Sequence, residues 1–191
     1  MKNFFKILNA TVAVSALVAT SILPGEALAA TQGTLGATST GSIGISVNKP
    51  IMAQISGLVD LSVPSFTAGM GAQDLSENVC VYSDTPSGGY KITATSTNGT
   101  AGAFAMINGA NNLAYTVNWN AGGVGALGAQ GSVLTSGTQS GSLSHASTTS
   151  ATCSNNASPT ARLDVNITQG SLDAAVEGVY TDTLTLLITP V

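Results

Sequence analysis

The chain has 191 residues, of which 43% are hydrophobic and only 7% charged, and its formal net charge is −4 at pH 7. Such sparse and mildly negative charge argues against nucleic acid or an anionic lipid surface as a partner, because neither would meet a basic patch. The exterior is expected to consist largely of Thr, Ser, Asn and Gly.

The first 29 residues have the pattern of a secretory signal peptide. Lys2 and Lys6 precede an apolar run from Ile7 to Leu23, and small residues then suit cleavage after Ala29. A membrane anchor is the alternative, but the apolar run is short and interrupted by hydroxyl residues. We therefore predict export. The remainder, residues 30–191, is long enough for one domain with a hydrophobic core.

The rest of the chain shows short runs in which apolar and polar residues alternate, separated by Gly, Asn, Ser and Pro. This pattern is typical of an antiparallel sandwich or barrel, and no segment shows a convincing helical stripe. Eight short strands fit a sandwich of two sheets. We predict them at Ser42–Val47, Ile51–Ile55, Asn78–Tyr82, Tyr90–Thr95, Phe104–Ile107, Leu113–Trp119, Ala161–Thr168 and Tyr180–Thr189.

Several connections carry turn or loop signals. Asn98–Gly99 and Asn108–Gly109 predict tight hairpin turns, which need a positive φ, and Thr85–Gly89 predicts another reversal. Two stretches of low complexity, Ala121–Gly131 and Thr135–Thr152, are expected to form surface loops or edge strands rather than core.

One run is expected to be a central strand of the core. Leu113, Tyr115, Val117 and Trp119 share one face of it. We interpret Trp119 as an ordinary core aromatic rather than as a platform for stacking a sugar.

The chain has two cysteines, Cys80 and Cys153. An even pair in an exported protein predicts one disulfide bond. Its role is expected to be structural, since there is no CxxC motif and no basic neighbour to lower a thiol pKa.

Few residues of the sequence suggest a catalytic or metal-binding site. His145 is the only histidine, and it lies in a polar stretch without a GxSxG motif, so a Ser-His-Asp hydrolase is disfavoured. The acid pairs Asp74/Glu77 and Asp173/Glu177 lie in segments that read as exposed turns. We predict no catalytic residue, no metal site and no small-molecule substrate.

The glycines at positions 123, 125 and 128 spell GxGxxG, the fingerprint of a dinucleotide-binding turn. That fingerprint requires a helix that opens at the third glycine, and the following "AQGSVLTSGT" does not predict one. We therefore predict no cofactor.

Four motifs together resemble one protein family. They are "TGSIGISV" after the signal peptide, "ISGLVDL", "ENVCVYSDTPSGGYKITATSTNG" around the first cysteine, and "GVYTDTLTLLITP". In this order they resemble the pilin subunits of the archaic chaperone–usher pathway, which share the spore coat protein U-like domain. The resemblance implies an all-β, immunoglobulin-like antiparallel sandwich that is incomplete, with one strand supplied by a neighbouring subunit.

The resemblance also implies two contact regions. Residues 30–49 would be an N-terminal extension and candidate donor strand, presenting Ile43, Ile45 and Val47 to a neighbour, and residues 50–191 would be the pilin-like sandwich. The edge of the acceptor groove would be formed by Leu184, Leu186 and Ile188. Two points stay open: the donor strand could begin earlier in the extension, and Ser42–Val47 could instead be the domain's own first strand.

The implied function is that of a structural subunit of a surface fimbria, which polymerises by donor-strand exchange and serves adhesion or biofilm formation. The implied partners are a periplasmic chaperone, an outer-membrane usher, and copies of the chain or related pilins. The protein would pass through the periplasm to the cell surface and would not be an enzyme. The alternatives are a tip adhesin, a self-complete secreted binding sandwich and, more remotely, an exported hydrolase that uses His145.

Overall fold

The computed structural model describes residues 29–122, 131–153 and 159–191. The chain divides into two compact units, Met1–Asn48 and Lys49–Val191. Within the described ranges, no helix is both long enough and apolar enough to cross a bilayer.

The regular secondary structure of the second unit consists almost entirely of β-strands. Its described part contains β1 (Ala53–Ser56), β2 (Gln73–Ser83), β3 (Tyr90–Ser96), β4 (Phe104–Asn108), β5 (Asn111–Ala121), β6 (Gly131–Val133), β7 (Ala161–Ile167), the short helix α1 (Gln169–Ala174) and β8 (Leu184–Pro190).

These strands form two antiparallel sheets. The larger has the order β1-β2-β7-β5-β4, with β6 added to β5, and the smaller pairs β3 with β8. In an immunoglobulin-type sandwich, strands A, B, E and D form one sheet and strands C and F belong to the other. The order observed here matches that scheme, with β1, β2, β7 and β5 in the first sheet and β3 and β8 in the second. The predicted immunoglobulin-like antiparallel sandwich is therefore confirmed.

The alternation in β5 explains the centre of the core. Leu113, Tyr115, Val117 and Trp119 are all buried, as predicted for a central strand. The indole N–H of Trp119 donates a hydrogen bond to the phenol oxygen of Tyr90 over 3.0 Å, which joins the two sheets. Burial raises the pKa of Tyr90 to about 12, so it stays neutral as the acceptor of this bond.

The predicted disulfide bond is present. Cys80 in β2 is joined to Cys153 across a sequence separation of 73 residues. The bond attaches the segment after β6 to the larger sheet, and no free cysteine remains.

One of the two predicted Asn-Gly hairpins is confirmed and the other is wrong. Asn108 at the end of β4 faces Asn111 at the start of β5, and Gly109 has a φ of +59° in the two-residue loop between them. Asn98–Gly99 does not close a hairpin, because β3 and β4 lie in different sheets and the chain crosses between them. Gly99 is needed there for space, since a Cβ would lie only 2.0 Å from the carbonyl oxygen of Ala103.

The secondary structure also differs from the predictions in other places. Strand β6 was not predicted, β2 begins at Gln73 rather than at Asn78, and β8 begins at Leu184 rather than at Tyr180. Helix α1 was not predicted, because six residues capped by the Thr168 hydroxyl are too short to show a helical stripe. Ser42–Val47 was predicted to be a strand and is not one. Ser42 forms a single bridge to Thr31, and the remaining residues are irregular.

The polar segment Thr135–Thr152 contains no strand and runs beside β3 through isolated bridges. The prediction that it contributes nothing to the core is wrong. Gln139 and Leu143 form bridges to β3, and Leu143 and Ala146 are buried. The glycine motif at positions 123–128 lies outside the described residues.

Candidate functional site

In the described part of the second unit, β8 has bonds to a neighbour along one edge, whereas its partner β3 has bonds along both edges. On the far side of β3, the N–H of Tyr90 donates to the carbonyl of Leu143 over 3.0 Å, and the N–H of Ser140 donates to the carbonyl of Ile92 over 2.8 Å. Within the described part of the second unit, no strand pairs with the other edge of β8. Strand β8 is therefore an edge strand of the smaller sheet.

The ladder between β3 and β8 shows which backbone groups face that free edge. The N–H of Thr97 donates to the carbonyl of Thr183, and the N–H of Val191 donates to the carbonyl of Gly89, so odd-numbered residues of β8 bond to β3. Because bonding alternates along an antiparallel strand, the even-numbered residues direct their N–H and C=O groups away from β3. These residues are Leu184, Leu186, Ile188 and Pro190, of which Pro190 has a C=O but no N–H.

The first three of these residues also point their side chains toward the core. Leu184, Leu186 and Ile188 pack against the core cluster but are only partly buried. Their partners across the ladder are covered, since Ile92 faces Ile188 and is 0% exposed, as is Ala94 opposite Leu186. The interior of the sandwich is thus closed along β3 and incompletely closed along β8. We call Leu184, Leu186 and Ile188 the β8 edge.

The opposite sheet is also incompletely covered near this edge. Strand β1 lies close to β8 across the sandwich. Ile55 in β1 and Leu75 in β2 pack against the core while remaining partly exposed. Apolar surface is therefore available on both sides of the opening between β1 and β8.

A carboxylate that was not recognised in the sequence holds the start of β8. One oxygen of Asp182 accepts hydrogen bonds from the Ser96 and Tyr115 hydroxyls, each at 2.6 Å. The other oxygen accepts the backbone N–H of Asn98 at 3.1 Å and its side-chain amide at 3.0 Å. Ser96 belongs to β3 and Tyr115 to β5, so Asp182 joins the two sheets beside the β8 edge.

The signal for this role was present in the sequence. Asp182 has the same parity as Leu184, Leu186 and Ile188, and an acid at an inward-facing position requires hydrogen-bond donors. Partial burial acts to raise the pKa of Asp182, but the donors from Ser96, Tyr115 and Asn98 outweigh it and hold the pKa below its usual value. Burial and the neighbouring carboxylate raise the pKa of Tyr115.

We expect Asp182→Asn to lower the free energy of unfolding by about 1 to 2 kcal/mol at pH 7, because an amide cannot accept all of these bonds and the site is partly open to solvent. The folded pKa lies below the unfolded value of 3.8. The carboxylate therefore stabilises the fold above about pH 4 to 5, and this contribution disappears as the pH falls through the folded pKa.

Urea denaturation of the wild type and Asp182→Asn at several pH values measures this effect. The difference between the two proteins should shrink as the pH is lowered from 5 toward 2. Asp173→Asn, an exposed acid in α1, is the control and should have little effect. If Asp182→Asn lowered the free energy of unfolding by the same amount at every pH, a role for the negative charge would be contradicted.

The first residues of the second unit are also anchored by an acid. The backbone N–H of Met52 donates to Asp84 over 2.8 Å, and the ammonium of Lys49 lies 3.1 Å from the other oxygen. Met52 is the main cause of a lowered pKa at Asp84, with a further contribution from Lys49 and opposition from desolvation. The chain is therefore held to the end of β2 just before β1 begins.

In the first unit, the predicted donor residues are exposed. Ile43, Ile45 and Val47 are 76%, 82% and 89% exposed. They follow a clip formed by Thr31 and Ser42, in which each backbone N–H donates to the other's carbonyl at 2.9 and 3.0 Å and the two hydroxyls lie 2.6 Å apart. We call this pair the N-terminal clip.

The structure places His145 and the two acid pairs, which were the catalytic candidates in the sequence. His145 is exposed, with a φ of +76°, and its Nδ1 lies 2.8 Å from the hydroxyl of the adjacent Ser144. Asp74 and Glu77 were read as part of an exposed turn, but both lie in β2, where their odd spacing places them on opposite faces. Asp173 lies in α1 and Glu177 follows it. Within the described residues, no group of three or more His, Cys, Asp or Glu is gathered to hold a metal.

Comparison with known proteins shows a likeness of fold. No protein-family profile matches the chain, and no curated protein matches it. A solved structure from a study of the chaperone–tip adhesin complex in CFA/I fimbriae biogenesis is similar with a TM-score of 0.51 and 19% identity, over 74% of this chain and 41% of that chain. A mutant of the CFA/I adhesin CfaE from enterotoxigenic E. coli is similar with a TM-score of 0.44 and 16% identity, over 74% of this chain and 43% of that chain.

The chain thus spans about two fifths of the length of these two structures. At such low identity the likeness concerns the fold alone. It relates the sandwich described above to the fold of a protein from a fimbrial chaperone–adhesin system.

Proposed function

We propose that the protein is a structural subunit of a chaperone–usher surface fimbria and polymerises by donor-strand exchange. The observation that carries the proposal is the β8 edge, where unpaired backbone groups and partly exposed core side chains belong to the same three residues. An added strand supplies both hydrogen bonds and apolar side chains, which is the recognition mode known as β-augmentation.

The N-terminal extension offers a strand of suitable chemistry. Ile43, Ile45 and Val47 are spaced by two residues, so an extended segment presents all three on one face. Burying each side chain stabilises the contact by about 1.5 to 3 kcal/mol before ordering costs. Each backbone hydrogen bond adds roughly 0.5 to 1.5 kcal/mol. A tight contact between subunits follows from these magnitudes.

The proposal has consequences for biogenesis. An uncovered apolar edge promotes aggregation, so the subunit requires a cover before assembly. A periplasmic chaperone would supply it, and an outer-membrane usher would then exchange the chaperone for a copy of this chain or a related pilin. In this proposal residues 1–29 are removed on export, residues 30–49 form the donor extension, and residues 50–191 form the sandwich of a non-catalytic protein that serves adhesion or biofilm formation.

The test uses two adjacent leucines of β8. Leu186 points into the opening, whereas Leu187 points outward and is 58% exposed. We expect Leu186→Arg to abolish fibres, because a charge would enter the site of the added strand. Leu187→Arg should leave fibres intact. Electron microscopy of cells that produce each variant as their only copy is the measurement.

A loss of fibres in Leu186→Arg must be distinguished from a failure of that variant to fold. Secretion of Leu186→Arg with its disulfide formed would show that the variant folds. Normal fibres from folded Leu186→Arg would overturn the proposal, and so would a wild-type chain that stays monomeric as a self-complete sandwich.

A tip adhesin is the second candidate, because the more similar structure comes from a study of a chaperone–tip adhesin complex. Immunogold labelling distinguishes the two positions. Label along the fibre supports a repeating subunit, and label confined to fibre ends supports a tip protein.

A further inference from the structure

The structure also indicates the direction and register in which the proposed donor strand pairs with β8. This inference rests on the proposed function. The β8 edge offers a short ladder with a defined end. Leu184, Leu186 and Ile188 each have an N–H and a C=O directed to the free side, whereas Pro190 has no N–H to donate. A complete ladder therefore uses three residues of β8 and stops after Ile188.

The donor segment also has a defined start. In the N-terminal clip, the N–H and C=O of Ser42 are both used by Thr31. Leu35 lies within the loop that this clip closes and is fully exposed. The next residues free to extend are Ile43 onward, so the clip excludes Leu35 from the inserted strand.

The clip also determines which backbone groups can bond to a second strand. Along an extended chain, successive residues direct their N–H and C=O groups to opposite edges. Because Ser42 faces Thr31, Gly44 and Ser46 would face the same edge. Ile43 and Ile45 would face the other edge, as would Val47.

Only an antiparallel ladder uses these groups in full. In an antiparallel pair, residues that exchange both hydrogen bonds lie directly opposite each other with their side chains on the same face. A parallel strand with the same apolar face inward would instead need the carbonyl of Ser42 for the N–H of Leu184. That carbonyl already accepts the N–H of Thr31.

We infer that the segment Ile43–Val47 of a second copy pairs antiparallel to β8, with Ile43 opposite Ile188, Ile45 opposite Leu186 and Val47 opposite Leu184. Gly44 then lies opposite the outward Leu187 and Ser46 opposite Thr185. The ladder ends on both strands at the same place, since Ser42 is held by the clip and Pro190 cannot donate.

Disulfide trapping tests this register in the full chain. Ser46 and Thr185 would form a non-hydrogen-bonded antiparallel pair, with Cα atoms about 4.5 Å apart, which suits a disulfide. We expect Ser46→Cys with Thr185→Cys to give a ladder of covalent multimers on a non-reducing gel of fibres. Ser46→Cys with Leu187→Cys should not, because that diagonal distance is about 7 to 8 Å.

The substituted positions are exposed, so these variants should fold, and Ser46→Cys alone controls for incidental cross-linking. Fibres that cross-link through positions 46 and 187 would overturn the register while leaving the proposed function standing. A cross-link within a single chain would overturn both. Absence of any polymer, in the wild type as well, would defeat the proposed function itself.

Discussion

Addition of a peptide spanning Thr38 to Lys49 should raise the melting temperature of the sandwich that lacks residues 30–48 by roughly 10 °C. At a hundredfold excess over its dissociation constant, a ligand that binds only the folded state stabilises it by about 2.7 kcal/mol. For a domain near this size, each kcal/mol corresponds to a few degrees. The physical reason is that the peptide would cover the β8 edge, where three core side chains are partly exposed.

The same peptide with Ile45→Asp is the matched control and should give almost no shift, because it would bring an unpaired charge against the core. If the truncated sandwich is too insoluble to study alone, the full chain carrying Ile45→Asp replaces it, with the wild-type peptide added in trans. A melting temperature that does not respond to the wild-type peptide at any concentration would contradict an open acceptor edge.

Replacement of both Cys80 and Cys153 by Ala should lower the free energy of unfolding by about 4 kcal/mol. The bond closes a sequence separation of 73 residues, and the chain-entropy treatment of such a loop gives this magnitude. Because small domains are stable by only about 5 to 15 kcal/mol, a loss of this size should leave the sandwich close to unfolding at growth temperature.

Urea denaturation is the measurement, with an expected fall in the midpoint of about 2 M for a typical dependence on denaturant. Reduction of the wild type provides the control and should reproduce the loss without any substitution. A decrease below about 1 kcal/mol would show that the loop is already constrained in the unfolded chain.

Alternation within strands was the most reliable guide to this fold. It correctly placed Leu113, Tyr115, Val117 and Trp119 on the buried face of β5. It also indicated that Leu184, Leu186 and Ile188 share a face of β8. Side-chain orientation depends on the local backbone alone, so the sequence of one strand is sufficient to predict it.

The partners of each strand were harder to predict. The Asn98–Gly99 signal suggested a hairpin between β3 and β4, yet these strands lie in different sheets. Backbone N–H and C=O groups are the same for almost every residue, so a strand's sequence does not state which neighbour will bond to it.

The sequence by itself was sufficient to predict the disulfide pair, the all-β class and the inward face of each main strand. It also predicts an export signal. Only the tertiary structure decided that, among the described strands, β3 alone bonds to β8, and that Asp182 joins Ser96 to Tyr115 beside it. The physical reason is that these features depend on contacts between residues far apart in the chain. Periodicity within a strand carries information about burial, whereas an unpaired edge is defined by which strand does not lie beside it.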